Sequence, residues 1–392
     1  MFANRYLQKS NISDWIKKPP HPETGVIVVI PCFREPAIIE TLKSLKECDL
    51  PPCYSEVIVL INHSAASSED VKRYNLKTAS EVLQWISDNK ADKLNMMVHG
   101  PVELPVKWAG AGLARKRGMD DAVRRFNLLE RPDGVILSLD SDTLVDKNYL
   151  KAVFEHFADN PDYVGAVISF EHIKEGLPPK HLEGITLYED YMHYYKNALQ
   201  YCGYPFPMFT VGSAFAVRAG AYVKRGGMNR RQAGEDFYFL QNLVQLGNVG
   251  EIHSTTVHPS ARLSDRVPFG TGPTLQKWMN GEEDLTKTYN FKAFVDLRKF
   301  FICKADLFRL SAVDFYSYIT SLPEPVREFL IQDNFIFELD DLNRNCSSLK
   351  SFNKRFFQKF NAFKILKYLN FAHSNFYPKA GLSGQIELLE SN

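Results

Sequence analysis

Four short aliphatic runs, each followed by a segment long enough for a helix, constrain the fold of this chain more than any other feature. They are Val26–Ile30, Val57–Ile61, Met96–Val98 and Gly134–Leu139. Unbroken runs of aliphatic residues at this length are typical of strands buried on both faces. Strands that alternate with helices form βαβ units, so the sequence predicts an α/β fold with a mostly parallel sheet flanked by helices.

Polar side chains follow three of these runs. Glu35 comes shortly after the first, Asn62 directly follows the second, and Asp140 and Asp142 follow the fourth. In open sheets of this class, ligands bind outside the carboxyl ends of the strands. Two carboxylates separated by one serine suit Mg²⁺ or Mn²⁺ bound together with substrate phosphates. The competing interpretation of a lone Asp-Ser-Asp is a solvated acidic turn at the end of a strand.

The C-terminal part of the chain has a different character. From about Leu285 onward the residues predict helices rich in Phe, Lys and Leu, and no acidic residue occurs between Leu342 and Ile386. In the segment 352–371, phenylalanines are interleaved with lysines. One interpretation is a basic amphipathic helix on an anionic membrane surface. The other is a helix packed on the protein with its lysines in water, which the sequence favours because apolar residues occupy more than one face.

Composition limits the classes of protein to consider. The 392 residues predict a lead-in over 1–24, a catalytic domain over 25–284 and a helical region over 285–392. A net charge of +1 argues against a nucleic-acid partner. The N-terminus lacks an apolar leader, and the six cysteines show neither CxxC nor zinc spacing. We therefore expect a cytoplasmic protein, with peripheral contact at the inner face of a membrane as an open alternative and the oligomeric state also left open.

Five motifs resemble, in the same order, those of the family 2 glycosyltransferases of the GT-A fold, over the region Val26–Pro273. They are Ile30-Pro31-Cys32-Phe33-Arg34-Glu35, Gly112-Leu113-Ala114-Arg115, Asp140-Ser141-Asp142, Gly234-Glu235-Asp236 and His258. The resemblance implies a metal-dependent, inverting transfer of a sugar from a UDP- or GDP-sugar to a hydroxyl acceptor, in cell-surface glycan or glycolipid synthesis. It implies nucleotide-sugar contacts from Pro31, Phe33, Glu35, Asn62, Gly112, Arg115, Asp140 and Arg262.

The resemblance also implies individual roles at the metal and at the acceptor. Asp142 would bind Mn²⁺ or Mg²⁺ directly and His258 would complete the coordination, with His253 as the competing histidine. Asp236 would be the general base for the acceptor hydroxyl, and Glu235 would contact the acceptor or fix the local geometry. The alternative for Asp236 is a helix N-terminal carboxylate, stabilised by the helix dipole.

Three arginines and one asparagine each have two possible interpretations in the sequence. Arg115 follows a glycine-rich turn, where a guanidinium can hold phosphate or base, but a solvated helix charge is the alternative. Arg262 and Arg266 lie on a loop that would close over the diphosphate, or that is simply mobile and basic. Asn62 stands where many family members have an acidic pair that contacts the base, so the preferred base is left open.

Two other functions compete with the transferase. A sugar-nucleotide pyrophosphorylase would need a glycine-rich basic loop after the first strand, which Pro31–Glu35 is not. A non-catalytic carbohydrate-binding or membrane-associated scaffold could keep the fold, but the intact Asp140, Asp142 and Asp236 argue against this. Hydrolysis of a donor by the purified protein would separate the scaffold from the enzyme. Trp108, Tyr188, Tyr191 and Phe206 are expected mainly in the core, with sugar stacking as the alternative.

Overall fold

The computed structural model describes residues 1–10, 16–231, 234–264 and 270–392. The chain divides into two compact units. The first unit comprises Met1–Gly176 and Thr210–Gln276, and the second comprises Leu177–Phe209 and Lys277–Asn392. This division differs from the predicted one, because residues 177–209 belong with the C-terminal helices although they lie inside the predicted catalytic domain.

One eight-stranded sheet, in the order β3-β2-β1-β4-β7-β6-β8-β5, forms the centre of the first unit. Its strands are β1 Thr24–Cys32, β2 Tyr54–Ser64, β3 Leu94–Leu104, β4 Val135–Ser138, β5 Thr143–Val145, β6 Tyr163–Phe170, β7 Phe215–Arg218 and β8 Asn248–Pro259. Over the described residues, four of its seven strand pairings are parallel and three are antiparallel. The predicted α/β fold is confirmed.

The helices of both units follow in chain order. They are α1 Asn4–Ser10, α2 Ile38–Lys46, α3 Glu69–Asp88, α4 Ala111–Leu128, α5 Tyr149–Asp159, α6 Pro179–Tyr201, α7 Ala219–Lys224, α8 Glu235–Leu243, α9 Thr271–Asn280, α10 Phe291–Ile302, α11 Ala312–Ile319, α12 Glu324–Gln332, α13 Phe335–Asn345, α14 Leu349–Lys359, α15 Ala362–Asn375 and α16 Leu382–Glu390. The predicted lead-in therefore contains a helix, α1. Tyr6 on α1 is hydrogen-bonded to Asp120 of α4 at 2.5 Å.

Helix α4 lies directly against β1, a strand whose central residues are fully buried. A Cβ atom at Gly118 would overlap the side chain of Val29, so glycine is required for this close approach. Residues Val26–Ile30 have no exposed surface. Burial of this strand by α4 explains why its sequence is a continuous aliphatic run and does not alternate with polar residues.

The second unit is built around packed phenylalanine rings. Phe300, Phe335, Phe356 and Phe360 are fully buried, and the rings of Phe356 and Phe360 stack with centroids 6.0 Å apart. The segment 352–371 therefore packs within the second unit, and it does so as parts of two helices, α14 and α15, where the sequence predicted one. A short antiparallel pair, β9 Lys287–Thr288 and β10 Ala380–Gly381, completes the unit. None of the described helices combines the length and the apolar character needed to cross a bilayer.

Candidate active site

The Asp140-Ser141-Asp142 turn lies at the carboxyl end of β4, as the sequence predicts. Leu139 continues the strand by donating its backbone N–H to the carbonyl oxygen of Val29 at 3.1 Å. After the turn, β5 runs antiparallel to the end of β8, and the backbone N–H of Ser260 donates to the carbonyl oxygen of Asp142 at 3.2 Å. Strands from distant parts of the chain therefore fix the backbone on both sides of the two carboxylates.

Arg115 is buried on the first turns of α4 and connects two acidic motifs. Its guanidinium donates to Asp140 at 2.5 Å and also forms an ion pair with Glu235. Burial alone lowers the pKa of Arg115, but Asp140 and Glu235 outweigh this effect and raise its pKa above the usual value. Arg115 is thus a permanently charged link between the Asp-Ser-Asp turn and the start of α8, and the alternative of a solvated helix charge is wrong.

Two glycines allow this arrangement. A Cβ atom at Gly112 would overlap the carbonyl oxygen of Arg231 and would lie 3.1 Å from the Cβ of Glu235. A Cβ atom at Gly212 would lie 2.8 Å from the Arg115 guanidinium. Gly112 therefore lets α4 approach the segment before α8, and Gly212 leaves room for the buried guanidinium. Gly112 was predicted as a site residue from its motif. Gly212 was not predicted, because no local sequence pattern marks it.

Arg262 makes a second bridge, between the end of β1 and the Asp-Ser-Asp turn. Its guanidinium contacts both carboxylate oxygens of Glu35, one at 2.6 Å, and lies 2.6 Å from Asp142 Oδ2. Glu35 is 1% exposed and also accepts the backbone N–H of Ala37 at 2.9 Å. The predicted residues Glu35, Asp142 and Arg262 are therefore brought together. Arg266 lies outside the described residues.

The acidic motif at the start of α8 presents two carboxylates in different surroundings. Gly234 precedes the helix with a φ of 69°, a conformation that favours glycine. Glu235 is buried against Arg115, whereas Asp236 is half-buried and accepts the backbone N–H of Phe237 at 2.7 Å. Burial raises the pKa of Asp236, with Arg115 opposing the shift. Asp236 combines partial exposure with a more basic carboxylate than usual.

These groups form one acidic cluster, defined here as Glu35, Asp140, Asp142, Glu235 and Asp236 with Arg115 and Arg262. Its carboxylates outnumber its guanidinium groups, and this excess of negative charge adds to the effect of burial on the pKa values of the carboxyl groups. Burial, with the neighbouring charges of Asp140 and Glu35, raises the pKa of Asp142 to about 7 although Arg262 opposes the shift. Burial also raises the pKa of Glu235 to about 7, against the effect of Arg115. A cation would therefore stabilise the cluster.

His258 lies near the end of β8, two residues before Ser260, whose backbone N–H contacts Asp142. His258 is opposite Leu144 in the β5–β8 pair, and its Nε2 atom lies 2.9 Å from Asp146 Oδ1. Asp146 also accepts the backbone N–H of Thr256 at 2.8 Å. Asp146 therefore accounts for one nitrogen of the His258 imidazole. His253, the competing histidine, is exposed and lies 3.2 Å from Ser169 Oγ.

Across the described ranges, no group of three or more His, Cys, Asp or Glu side chains is arranged to hold a metal ion. Mg²⁺ commonly uses only one or two carboxylates, with substrate phosphates and water as its other ligands. Asp140 and Asp142 fit that mode of binding. The partner of His258, Asp146, was missed in the sequence analysis.

Asn62 supports the ends of β1 and β2. Its side-chain nitrogen donates to the carbonyl oxygen of Cys32 at 3.0 Å, and Asn75 donates to the backbone oxygen of Asn62 at 2.8 Å. Asn75 also accepts the backbone N–H of Arg34, whose φ is 47°. The nitrogen of Asn62 is thus used by the framework, which leaves the carboxamide oxygen for a ligand. Asn75, which no motif marks, shapes this edge.

The remaining predicted residues are distributed over both units. Pro31 pairs with Leu60 within the sheet, and Phe33 follows the end of β1, with both side chains half-buried. Trp108 was expected mainly in the core, but it is 38% exposed, with Lys107 Nζ 4.9 Å from its ring centroid. Tyr188, Tyr191 and Phe206 are half-buried and belong to the second unit.

Residues 135–322 match the family model described as Glycosyl transferase family group 2. This segment belongs to that family. The family 2 segment contains the Asp-Ser-Asp turn, the Glu235-Asp236 motif and Arg262, and it extends beyond the predicted limit at Pro273. The predicted family resemblance and the predicted enzyme class, a glycosyltransferase, are confirmed by this match. Comparison with curated protein sequences finds no match.

Solved glycosyltransferase structures are similar only at a distance. S. aureus TarS 1-349 in complex with UDP-GlcNAc is 14% identical with a TM-score of 0.43, and the alignment covers 85% of this chain and 92% of that one. The mannosyltransferase PcManGT from Pyrobaculum calidifontis, in complex with GDP-Man and Mn²⁺, is 15% identical with a TM-score of 0.40, covering 88% and 96%. Both TM-scores are below 0.5. The assignment to the glycosyltransferase family therefore depends on the family model and on the residues described above.

Proposed function

We propose that this chain is a metal-dependent, inverting glycosyltransferase that moves a sugar from a UDP- or GDP-sugar to the hydroxyl group of a glycan or glycolipid. The observation that carries the proposal is the acidic cluster at the carboxyl ends of the strands, within and beside the family 2 segment. Its carboxylates exceed its guanidinium groups, which suits a divalent cation and a diphosphate together. A purely structural ion-pair network would be expected to match its charges.

The metal-binding residues in this proposal are Asp142 and Asp140. A bound Mg²⁺ or Mn²⁺ would act as a Lewis acid for the departing diphosphate. The raised pKa of Asp142 fits this role, because the carboxylate is disfavoured by its neighbours until a second positive charge offsets them. His258 would join as a ligand only by leaving Asp146, so we assign the main contribution to Asp142.

Arg262 and Arg115 hold the cluster in the geometry that the donor requires. Arg262 contacts Glu35 and Asp142, so its guanidinium already lies where the diphosphate would meet the turn. A planar guanidinium can bind two oxygen atoms at once, which orients phosphate more strictly than a lysine would. Arg115 positions Asp140 and Glu235, and Asp140 would contact the donor ribose.

Asp236 is the proposed general base. The acceptor oxygen forms a bond to the anomeric carbon while the bond from that carbon to the diphosphate oxygen breaks, and the hydroxyl proton passes to the Asp236 carboxylate. The nucleoside diphosphate departs with the bonding electrons. One displacement of this kind inverts the anomeric centre. Partial exposure gives Asp236 access to a substrate, and its raised pKa makes its carboxylate a stronger base than that of an ordinary aspartate.

Calorimetric titration of UDP and GDP, with and without Mn²⁺, tests the metal and donor proposals. We expect one nucleotide to bind only when Mn²⁺ is present, and we expect the variant Asp142→Asn to lose this binding. The matched control is Asp133→Asn, because Asp133 is an exposed carboxylate just before the opposite end of β4. The control should bind as the wild-type protein does.

Two results would contradict the proposal. If nucleotide binds equally well without metal, or equally well to Asp142→Asn, the cluster is not a metal-dependent donor site. If neither nucleotide binds and the protein does not hydrolyse UDP- or GDP-sugars, a non-catalytic scaffold becomes the better interpretation. Rapid donor hydrolysis that requires Mn²⁺ and Asp142 would exclude that scaffold.

A further inference from the structure

The last part of the second unit contains a long stretch of sequence with basic residues and no acidic ones. Between Leu342 and Ile386 the sequence contains eight Lys and Arg residues and no Asp or Glu, although the whole chain has a net charge of only +1. Ordinary solvated surfaces intersperse both signs of charge. A one-signed stretch of this length therefore indicates either internal pairing with acids from elsewhere or a surface that meets an anionic partner.

Internal pairing accounts for three of the eight residues. Lys364 is buried and contacts Asp333, with Glu338 at 2.8 Å. Lys359 lies 2.8 Å from Asp341, and Arg344 lies 2.8 Å from Asp340. The acidic residues at the end of α12 and along α13 are thus used to neutralise these cations, and the positive charge that is left over lies elsewhere.

Four of the remaining residues form what we term the basic face, namely Lys350, Lys354 and Arg355 on α14 and Lys367 on α15. All four are exposed, and none has a carboxylate partner within the part of the chain that the structure describes. On α14, Lys354 lies on the side opposite the buried Phe352 and Phe356, whereas Lys350 lies two turns before Phe357 on the same side of the helix.

Exposed apolar side chains accompany these charges. Leu349, next to Lys350, and Phe363, one turn before Lys367, are each 41% exposed. The Lys367 ammonium lies 5.3 Å from the Phe363 ring centroid. Lysines with isolated apolar side chains between them suit a surface that offers both negative charge and an apolar layer beneath it.

We propose that the basic face docks the protein on an anionic lipid bilayer. Charge complementarity selects an anionic surface, and the exposed Leu349 and Phe363 favour lipid over nucleic acid. The predominance of lysine agrees with this choice, because nucleic-acid recognition prefers the bidentate guanidinium of arginine. The phenylalanine face of α14 takes no part, since it is packed in the protein core. Contact is therefore expected to be electrostatic, shallow and sensitive to salt.

Sedimentation of the full chain with vesicles tests this proposal. We expect binding to vesicles of phosphatidylglycerol and phosphatidylcholine at 0.1 M salt, strong weakening at 0.5 M salt, and little binding to phosphatidylcholine alone. Each basic residue near an anionic surface changes partitioning roughly fivefold. The triple variant Lys350→Glu/Lys354→Glu/Lys367→Glu should therefore weaken binding about a hundredfold or more.

A charge-matched control separates the basic face from net charge. Lys9→Glu/Lys17→Glu/Lys90→Glu changes the same number of charges at exposed lysines of the first unit, and it should retain most of the vesicle binding. Thermal unfolding of both variants checks that each is folded. Equal loss in the two variants, equal binding to neutral vesicles, or binding to duplex DNA in place of vesicles would each overturn the proposal. None of these outcomes depends on donor binding, so the proposed function can fail independently.

Discussion

The two ends of α4 each bury an arginine, and the two arginines differ in how their charge is matched. Arg125 meets one carboxylate, Glu56, through two hydrogen bonds of 2.5 and 2.7 Å, and its remaining nitrogen donates to the carbonyl oxygen of Lys18 at 2.9 Å. Arg115 is shared between Asp140 and Glu235, with Asp236 also nearby. A matched pair stabilises a fold, whereas surplus carboxylates around a guanidinium suit a cationic ligand and proton transfer.

The largest expected effect is at Asp236, one of the carboxylates near Arg115 that exceed the positive charge there. Asp236→Asn keeps the side-chain shape but cannot accept the acceptor proton, so we expect Mn²⁺-dependent donor turnover to fall about 10²- to 10⁴-fold. Nucleotide binding should change little, because Asp236 is not a proposed metal ligand. Rates of donor hydrolysis together with calorimetry check this. Unchanged turnover would show that Asp236 is only a helix-terminal carboxylate.

At the Arg125 end of α4, a substitution is expected to change the free energy of unfolding. Arg125→Met leaves the Glu56 carboxylate buried without a counter-charge, which is expected to cost about 3–5 kcal/mol of unfolding free energy. The double variant Arg125→Met/Glu56→Leu should recover most of this loss, because an apolar pair can replace a buried ion pair. Urea denaturation measures both.

Arg115→Met is the matched comparison for that experiment. Near pH 7 it should cost less stability than Arg125→Met, since the pKa of Glu235 is already about 7 and the carboxyl group can take up a proton. If the two substitutions cost the same, the distinction between the two ends of α4 is wrong.

The surplus charge should also make stability depend on pH. Burial raises the folded-state pKa of Glu235 to about 7, above its ordinary value of 4.5. The folded protein therefore binds more protons than the unfolded chain between about pH 4.5 and 7, and stability should fall as pH rises through this window. The slope from Glu235 is at most about 1.4 kcal/mol per pH unit. Glu235→Gln should flatten the profile, whereas an unchanged profile would show that Glu235 does not contribute.

The smallest expected effect is at His258. Because the His258 imidazole is already paired with Asp146, His258→Gln should weaken Mn²⁺ binding by about tenfold at most. Asp142→Asn should abolish it. Calorimetry with the preferred nucleotide compares the two variants. A loss in His258→Gln as large as that in Asp142→Asn would mean that His258 leaves Asp146 and becomes a direct ligand.

Local patterns were sufficient for much of the fold. Strands β1, β2 and β4 occur where continuous aliphatic runs predict them, and the packing of 352–371 follows from apolar residues on several helix faces. Local sequence is a weaker guide where pairing between distant strands decides at which residue a strand begins. Phe209–Ala214 has a strand-like sequence, but only the segment from Phe215 onward pairs with β4 and β6. Tryptophan is a large apolar residue that is usually buried, yet Trp108 lies exposed in the segment before α4.

The sequence by itself determined which elements form and which polar residues lie at strand ends, because side-chain periodicity and turn chemistry act over a few neighbouring residues. Only the tertiary structure decided which charges meet. Arg115 reaches Glu235 across 120 positions, and Arg262 reaches Glu35 across 227. Arg115 and Arg125 are alike in the sequence, as arginines ten residues apart on one helix. The strands packed around each end of α4 make one a structural ion pair and the other part of the proposed active site.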